Sequence, residues 1–167
     1  MNTALAYVSG GSNLDAEIHL PEAARELKSR YPGARFSRCY RNHSVGFDGP
    51  DFINFVAELP VVGQAFALRE HLQRVEKLCG RPDAAPRWAP RAMDLDLLLF
   101  GNQVIDEPGL QVPRPDLVRW AFMLGPLAEL APELMHPVEH RSIGDLWRHF
   151  DSQAHPLVPV ALDLNAA

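Results

Sequence analysis

The amino-acid sequence predicts an α+β fold in which one strand, one helix, two strands, a second helix and a fourth strand follow one another. Two segments place apolar residues at helical spacing, four shorter segments have the composition of strands, and stretches containing Gly or Pro separate them. This βαββαβ order is that of a ferredoxin-like sandwich, a mainly antiparallel sheet with the helices packed on it. The length of 167 residues fits one domain, so residues 1–167 are interpreted as a single unit.

The first three elements lie between residues 3 and 41. Residues 3–9 predict a short strand, which the sequence Gly10-Gly11-Ser12-Asn13 is expected to break and turn. Residues 16–30 carry an apolar stripe at helical spacing. Pro21 would fit best in the first turn of a helix, so a late start is expected. Residues 34–41 alternate in polarity and predict the second strand.

The second half repeats the pattern and adds shorter elements. Residues 52–60 predict the third strand, and residues 65–79 predict an amphipathic helix that Gly80 would end. The fourth strand ends at Phe100, and because it closes the second half we expect it inside the sheet. Further short elements are expected at 104–105 and 111–112, within 121–134, and after the capping-box sequence 142–145. The tail, residues 151–167, carries no clear assignment.

Composition excludes several classes of protein. Hydrophobic residues make up 47% and charged residues 22% of the chain, as in globular proteins. The net charge of −5 argues against a nucleic-acid partner, and no segment reaches the length of a membrane span, so no membrane partner is expected. Cys39 and Cys79 are too few for a disulfide framework, and the first residues lack a secretory pattern. We therefore expect a cytoplasmic protein, acting as a monomer.

Two carboxylates, one residue apart, interrupt the apolar run of the fourth strand. Asp94 and Asp96 share one face of the predicted strand, while Met93 and every second residue up to Leu99 take the other. Neighbouring carboxylates in a partly buried place repel each other and lose hydration, and a hard cation such as Mg²⁺ removes both costs. The alternative is an ordinary edge strand with two solvated acids. The continuous apolar run and the rarity of Asp in strands favour the metal site.

The loop before this strand contains three arginines, Arg81, Arg87 and Arg91, and three prolines. The sequence has neither a Gly-x-x-x-x-Gly-Lys-Ser/Thr nor a Gly-x-Gly-x-x-Gly phosphate-binding motif. Binding of ATP would therefore require a metal and arginines, and a loop beside the acidic strand could close over a polyphosphate. A solvated surface loop is the alternative interpretation.

Two other polar patterns stand out. The amide of Asn54, in the third strand, could bind the edge of a flat heterocycle, with Phe52 and Phe122 stacked on the ring. Alternatively, a neighbouring loop satisfies the amide and the aromatic rings belong to the core. The His-x-x-Glu-His pattern at His136–His140 resembles a zinc-peptidase motif, but Pro137 opposes the helix that would bring both histidines to one face.

Several ordered motifs together resemble a known family. The run from Arg87 to Leu98, with the sequence RWAPRAMDLDLL, is the most distinctive. Other matching segments are Gly11-Ser12-Asn13-Leu14, Tyr40-Arg41 with Val45-Gly46, Phe52-Ile53-Asn54, Glu76 with Gly80-Arg81, and Phe122-Met123-Leu124 with Pro126-Leu127. Over about residues 4–150 the chain closely resembles the 6-hydroxymethyl-7,8-dihydropterin pyrophosphokinase family of folate biosynthesis.

The resemblance implies an ATP-dependent pterin diphosphokinase, which transfers pyrophosphate from ATP to the pterin hydroxymethyl group and releases AMP. It implies that two Mg²⁺ ions are held by Asp94 and Asp96. The implied catalytic set consists of Arg81, Arg91, Asp94 and Asp96. The implied ATP-binding residues are Gln73, Glu76, Arg87, Trp88 and Arg114. The implied pterin-binding residues are Asn42, Ser44, Val45, Phe52, Asn54 and Phe122.

Some positions depart from the residues typical of the family. They are residues 42–44, Arg114 and Trp120. Two alternatives follow from these departures: a paralogue that acts on another hydroxymethyl pterin, or a weakly catalytic protein that binds a pterin or a nucleotide. Retention of both aspartates and of the three loop arginines argues against the second alternative.

Overall fold

A computed structural model of the chain describes residues 3–43, 49–80 and 92–166. Its strands and helices, in chain order, are β1 (Thr3–Ser12), α1 (Ala16–Arg30), β2 (Arg35–Phe36), β3 (Cys39–Asn42), β4 (Phe52–Val62), α2 (Ala65–Leu78), β5 (Asp94–Phe100), β6 (Ile105–Glu107), β7 (Leu110–Val112), α3 (Ala121–Leu130), α4 (Ile143–Arg148) and β8 (Val158–Val160). A 3₁₀ turn, Pro115–Val118, precedes α3. None of the described helices combines the length and the apolar character that crossing a membrane requires.

The main sheet is antiparallel, with neighbouring strands in the order β5, β1, β4, β3 and β8. The short strand β2 also pairs with β4, and β6 and β7 form a separate hairpin. The two central strands, β1 and β4, pair over ten residues, from Thr3 opposite Val62 to Ser12 opposite Ile53. The predicted α+β sandwich is confirmed.

Both faces of the main sheet are covered. Helices α1 and α2 pack on one face, as the βαββαβ pattern predicts, over a core that contains Leu20, Leu72 and Phe55. The other face, called here the α3 face, packs against the 3₁₀ turn, α3 and α4, over a second core that contains Tyr7, Val56 and Leu124. A strand between two such layers is apolar on both sides, which explains the continuous apolar run of β5.

The expectation that the acidic strand lies inside the sheet is wrong, because β5 is the edge strand of the described sheet. Its outer side is nevertheless partly covered, since the backbone N–H of Arg114 donates to the carbonyl oxygen of Leu98 at 2.9 Å. The register between β1 and β5 also shifts at Leu98, which places Leu99 on the α3 face. Simple alternation assigned Leu99 to the opposite face, and a bulge of this kind reverses that assignment.

The predicted break at Gly10-Gly11 does not occur, because β1 continues through both glycines to Ser12. A Cβ atom on Gly10 would overlap the ring of Phe55, and one on Gly11 would overlap the side-chain amide of Asn54. The two glycines therefore allow close approach of β4 side chains within a strand rather than a turn.

Two further predictions about element bounds are also wrong. Helix α1 begins at Ala16, before Pro21, because the carbonyl of Asp15 accepts the N–H groups of Ile18 and His19. Burial of Ala16 and Leu20 in the core offsets the hydrogen bond that Pro21 cannot donate. The single strand predicted at 34–41 is split into β2 and β3.

The tail, left unassigned from sequence, completes the sheet. Strand β8 pairs with β3, with Val160 opposite Cys39. The side-chain amide of Asn165 accepts from the backbone N–H of Phe36 at 2.9 Å and donates to its carbonyl at 2.8 Å. Leu164 is buried in the core under α1 and α2. The tail thus holds β2 and β3 in place from the outer side.

Cys39 and Cys79 are free and buried. Burial raises the pKa of each thiol to about 12. Neither is a ready nucleophile at neutral pH, since the thiolate is the reactive form. The expectation that the chain has no disulfide framework agrees with this arrangement.

Three polar side chains form a cluster on the α3 face. The hydroxyl of Tyr7 donates to Glu58 at 2.7 Å, and Nε of Arg35 donates to the other carboxylate oxygen at 2.9 Å. Burial would raise the pKa of Glu58, but the hydrogen bonds from Arg35 and Tyr7 and the charge of Arg35 outweigh burial and hold this pKa below its usual value. The carboxylate therefore contributes to stability in its ionised form.

Substitution of Glu58 by Gln is expected to lower the free energy of unfolding at neutral pH by about 1–3 kcal/mol, because Tyr7 and Arg35 lose their charged acceptor. Since the pKa is lower in the folded than in the unfolded chain, this contribution is complete above the unfolded pKa. It disappears as the pH falls through the folded value. Urea unfolding should show the difference between wild type and variant closing on acidification. Glu133→Gln, at an exposed position, is the control, and an equal loss for both would contradict the prediction.

Candidate active site

A row of paired residues crosses the sheet at the end of β1. Gly11 lies opposite Asp94 of β5 on one side and opposite Asn54 of β4 on the other, and Asn54 lies opposite Tyr40 of β3. Cross-strand partners share a face, so the side chains of Asp94, Asn54 and Tyr40 all belong to the α3 face. Asp94 and Asn54 are two strand spacings apart, about 10 Å.

Gly11 lies between Asp94 and Asn54 in this row and leaves room for the Asn54 side chain. Because it has no side chain, the amide of Asn54 occupies the space that a Cβ atom would take. Asn54 is only 4% exposed, and its Nδ2 donates to Oδ1 of Asn42, near the end of β3. Two amides are therefore held together on the α3 face, and Phe52, opposite Asn42 in the register, shares that face.

Helix α3 lies over the same face and is held there from β3. Its Glu129 accepts from the hydroxyl of Tyr40 at 2.5 Å and from the backbone N–H of Arg38 at 2.9 Å. Phe122, in the first turn, is half-buried and stacks on Trp120 with ring centroids 6.3 Å apart. The helix thus brings an aromatic ring to the face that carries Asn54.

The acidic pair, defined as Asp94 and Asp96, lies on β5, the edge strand of the described sheet. Both side chains are partly exposed, whereas Leu95 between them is buried. Oδ1 of Asp96 is 3.6 Å from a terminal nitrogen of Arg114. The carboxylates therefore lie at the edge of the sheet rather than in the core, within reach of solvent and of a cationic side chain.

A cavity of about 540 Å³ lies beside the acidic pair, between α2, β5 and β7. This volume lies within the range of small-molecule sites. The predicted ATP-binding residues Gln73, Glu76 and Arg114 line it together with Asp96. The structure therefore brings one predicted metal ligand and three predicted ATP-binding residues around one cavity.

Glu76 has a structural contact that sequence analysis did not predict. Its Oε2 accepts from the backbone N–H of Leu95 at 2.8 Å. Leu95 lies between the two members of the acidic pair, on the edge strand of the described sheet. The contact therefore fixes the strand backbone between Asp94 and Asp96 against helix α2.

A family model described as 7,8-dihydro-6-hydroxymethylpterin-pyrophosphokinase matches residues 7–132 of this chain. The chain belongs to this family. It is 41% identical to the 2-amino-4-hydroxy-6-hydroxymethyldihydropteridine pyrophosphokinase of Pseudomonas aeruginosa, over 78% of this chain and 83% of that protein. It is 34% identical to the enzyme of the same name from Haemophilus influenzae, over 79% of this chain and 84% of that protein.

Solved structures of the pyrophosphokinase family share the fold. The Plasmodium falciparum HPPK-DHPS triple mutant with SDX-DHP superposes with a TM-score of 0.72 at 13% identity, over 91% of this chain. The wild-type protein with pteroate superposes with a TM-score of 0.70 at 13% identity. This chain spans only 42% and 43% of those two longer chains. At such identities the likeness concerns the fold alone.

Not every predicted site residue lies in a described part of the chain. The ranges given above include Asn42, Phe52, Asn54, Phe122 and the acidic pair, whose positions have been described. They also include Gln73, Glu76 and Arg114, in the wall of the cavity. The remaining predicted site residues lie outside the described ranges: Arg81, Arg87, Arg91, Trp88, Ser44 and Val45.

The histidine pattern set aside from sequence forms a turn. The ring Nδ1 of His136 accepts from the backbone N–H groups of Val138 and Glu139, at 3.2 and 3.0 Å. His140 has a positive φ of 56°, which a right-handed α-helix does not allow. The two histidines therefore do not share a helical face.

The acidic pair fits a magnesium site. Mg²⁺ in nucleotide enzymes is usually bound by one or two carboxylates together with substrate phosphates. Two partly exposed carboxylates on one strand face, one of them in the wall of a cavity, supply this donor set.

Glu76→Ala is expected to raise the Mg²⁺ concentration needed for half-maximal AMP release by about tenfold, because the strand backbone between the aspartates loses its anchor. Glu76→Gln should restore most of this loss, since an amide oxygen can accept the same hydrogen bond. AMP release measured against Mg²⁺ concentration tests both variants. Glu70→Ala, at an exposed position on the same helix, is the control. A glutamine variant as impaired as the alanine variant would contradict this positioning role.

Proposed function

We propose that this protein transfers the pyrophosphate group of ATP to the hydroxymethyl group of 6-hydroxymethyl-7,8-dihydropterin and releases AMP, in folate biosynthesis. Membership of the pyrophosphokinase family supports the reaction. The observation that carries it in the structure is the row from Asp94 through Gly11 to Asn54. In this row a carboxylate and an amide share one face, about 10 Å apart, which supports a phosphate site at Asp94 and a heterocycle site at Asn54.

In this reaction the pterin hydroxyl oxygen forms a bond to the β-phosphorus of ATP. The bond from that phosphorus to the oxygen shared with the α-phosphate breaks, so AMP leaves and the hydroxyl proton passes to solvent. The residues act by positioning the two substrates and neutralising charge, which contribute most to phosphoryl transfer. No strong protein base is needed.

Asp94 and Asp96 would hold the metal, which we propose to be two Mg²⁺ ions accompanying ATP. When bound, the ions would neutralise phosphate charge and polarise the phosphoryl group. Gln73, Glu76 and Arg114 would contact the nucleotide from the walls of the cavity. By their place in the matching motif, Arg81, Arg87 and Arg91 would bind phosphates and Trp88 would cover them.

Asn54 would hydrogen-bond the pterin edge, supported by the amide of Asn42. The aromatic rings of Phe52 and Phe122 would stack on its faces, and Ser44 and Val45 would contribute contacts from the loop. A buried amide that is already held by a second amide loses little conformational freedom on binding. This arrangement supports a flat heterocycle as the acceptor.

Incubation with ATP, Mg²⁺ and 6-hydroxymethyl-7,8-dihydropterin should release AMP and the pterin diphosphate in equal amounts. Omission of the pterin should reduce AMP release to background. Pterin binding without AMP would contradict the assignment and leave the weakly catalytic binding protein, whereas turnover only with another hydroxymethyl pterin would identify a paralogue. The monomeric state and the cytoplasmic location remain predictions from sequence.

A further inference from the structure

Arg114 is held against the acidic pair by its own backbone. Its N–H donates to the carbonyl of Leu98 at 2.9 Å, and its carbonyl accepts from the N–H of Leu117 at 3.0 Å. The guanidinium lies 3.6 Å from Oδ1 of Asp96, and each of the two side chains is 36% exposed. A cation is therefore placed next to a carboxylate that would serve as a metal ligand.

The same guanidinium is incompletely satisfied. Its Nε is buried and has no hydrogen-bond partner among the described residues, since the nearest carboxylate oxygen, in Asp116, is 3.6 Å away. That distance is too long for a hydrogen bond. The rest of the guanidinium is accessible, because the side chain is 36% exposed and lines the cavity, so its terminal N–H groups suit an incoming phosphate oxygen.

These two observations imply that Arg114 and a divalent cation compete for Asp96. Both are attracted to its carboxylate, and the two positive charges repel each other. A polyphosphate attracts both, and it can draw the guanidinium away from Asp96 while it brings the metal in.

We propose that Arg114 is a counter-ion of Asp96 that keeps the metal affinity low until a nucleotide engages the guanidinium. This inference rests on the proposed metal role of the acidic pair. Nucleotide and divalent cation then bind with positive coupling, and by linkage each raises the affinity of the other by the same factor. Arg114 thereby makes occupancy of the metal site depend on the presence of ATP.

Binding of Mn²⁺, measured by electron paramagnetic resonance with and without a non-hydrolysable ATP analogue, tests the coupling. Without nucleotide, Arg114→Gln should bind Mn²⁺ about fivefold more tightly than wild type, because a competing cation is removed. Arg114→Lys, which keeps the charge, should remain close to wild type. The factor by which the analogue raises Mn²⁺ affinity should be smaller in the glutamine variant.

Three controls make the result specific. Arg119→Gln removes an arginine that also lies near Asp116, at 3.8 Å, and should leave Mn²⁺ affinity unchanged. Combining Arg114→Gln with Asp96→Asn should abolish the gain. Arg114→Met is a second uncharged substitution, should the glutamine variant fold poorly in a thermal melt.

Equal or weaker Mn²⁺ binding by folded Arg114→Gln and Arg114→Met would overturn the proposal while leaving the proposed reaction intact. If wild type binds no Mn²⁺ even with the analogue, the metal role of the acidic pair fails, and this inference fails with it. AMP release, measured separately, distinguishes that outcome from a failure of the proposed function.

Discussion

Replacement of Asp96 by alanine is expected to reduce the rate of AMP release by at least about a hundredfold. Asp96 combines three features: partial exposure at the edge of β5, a place in the cavity wall and a position on the same face as Asp94. Its removal leaves one carboxylate where two would neutralise the metal. The phosphate charge is then less well compensated during transfer. Single-turnover AMP release at saturating ATP and pterin measures the loss directly.

Folding should be little affected, because the strand keeps its backbone pairing and Asp96 does not belong to either apolar core. A thermal melt within a few degrees of wild type is the expected control result. Asp106→Ala removes an exposed acid from the separate hairpin and should retain full activity. Unchanged turnover in Asp96→Ala would remove the proposed metal role.

Gly11→Ala is expected to lower kcat/KM for the pterin by about a hundredfold. The added Cβ would overlap the amide of Asn54, and displacing a substrate-positioning group by about 1 Å can cost this much. Stability should fall as well, by about 1–3 kcal/mol, because the site is tightly packed. Steady-state kinetics with varied pterin, at saturating ATP, give the functional loss, and urea unfolding gives the structural one.

A double-mutant cycle separates the two roles of this position. If Gly11 acts by leaving room for Asn54, then Gly11→Ala should cost much less in an Asn54→Ala background. The KM for ATP should change little in either background. Full additivity of the two losses, or an equal rise in both KM values, would show that the alanine acts elsewhere.

Most of the fold could be predicted from local pattern. The helical spacing of apolar residues located α2 within a residue and the end of α1, although not its start. The Ser142 side chain caps α4 by accepting from the backbone N–H of Asp145, as the capping box predicts. Predictions from the sequence failed where the role of a residue depends on a partner that is distant in the sequence. The sequence Gly10-Gly11 is typical of a turn. Only the structure shows that the ring of Phe55 and the amide of Asn54, both in β4, pack against these glycines. The pairing of β8 with β3 likewise depends on a strand far away in sequence, which no local pattern shows.

The candidate site divides in the same way. The acidic pair stands out from sequence because two carboxylates in an apolar strand need an explanation. The contact from Glu76 to the backbone of Leu95 has no sequence signal, because it joins helix α2 to strand β5 and exists only once the sheet has formed. The position of Arg114 beside Asp96 also depends on tertiary structure. It results from the chain returning along the outer side of β5 after the hairpin.

The long separation between the tail and its partners affects synthesis. Asn165 binds Phe36 across 129 positions of the chain. At about 5–20 residues per second, about 6 to 26 s separate the translation of these two residues. During that interval the outer edge of β3 has no neighbouring strand, and an open edge is a template for pairing with other chains. We therefore expect the nascent chain to depend on chaperones until β8 and Asn165 have left the ribosome.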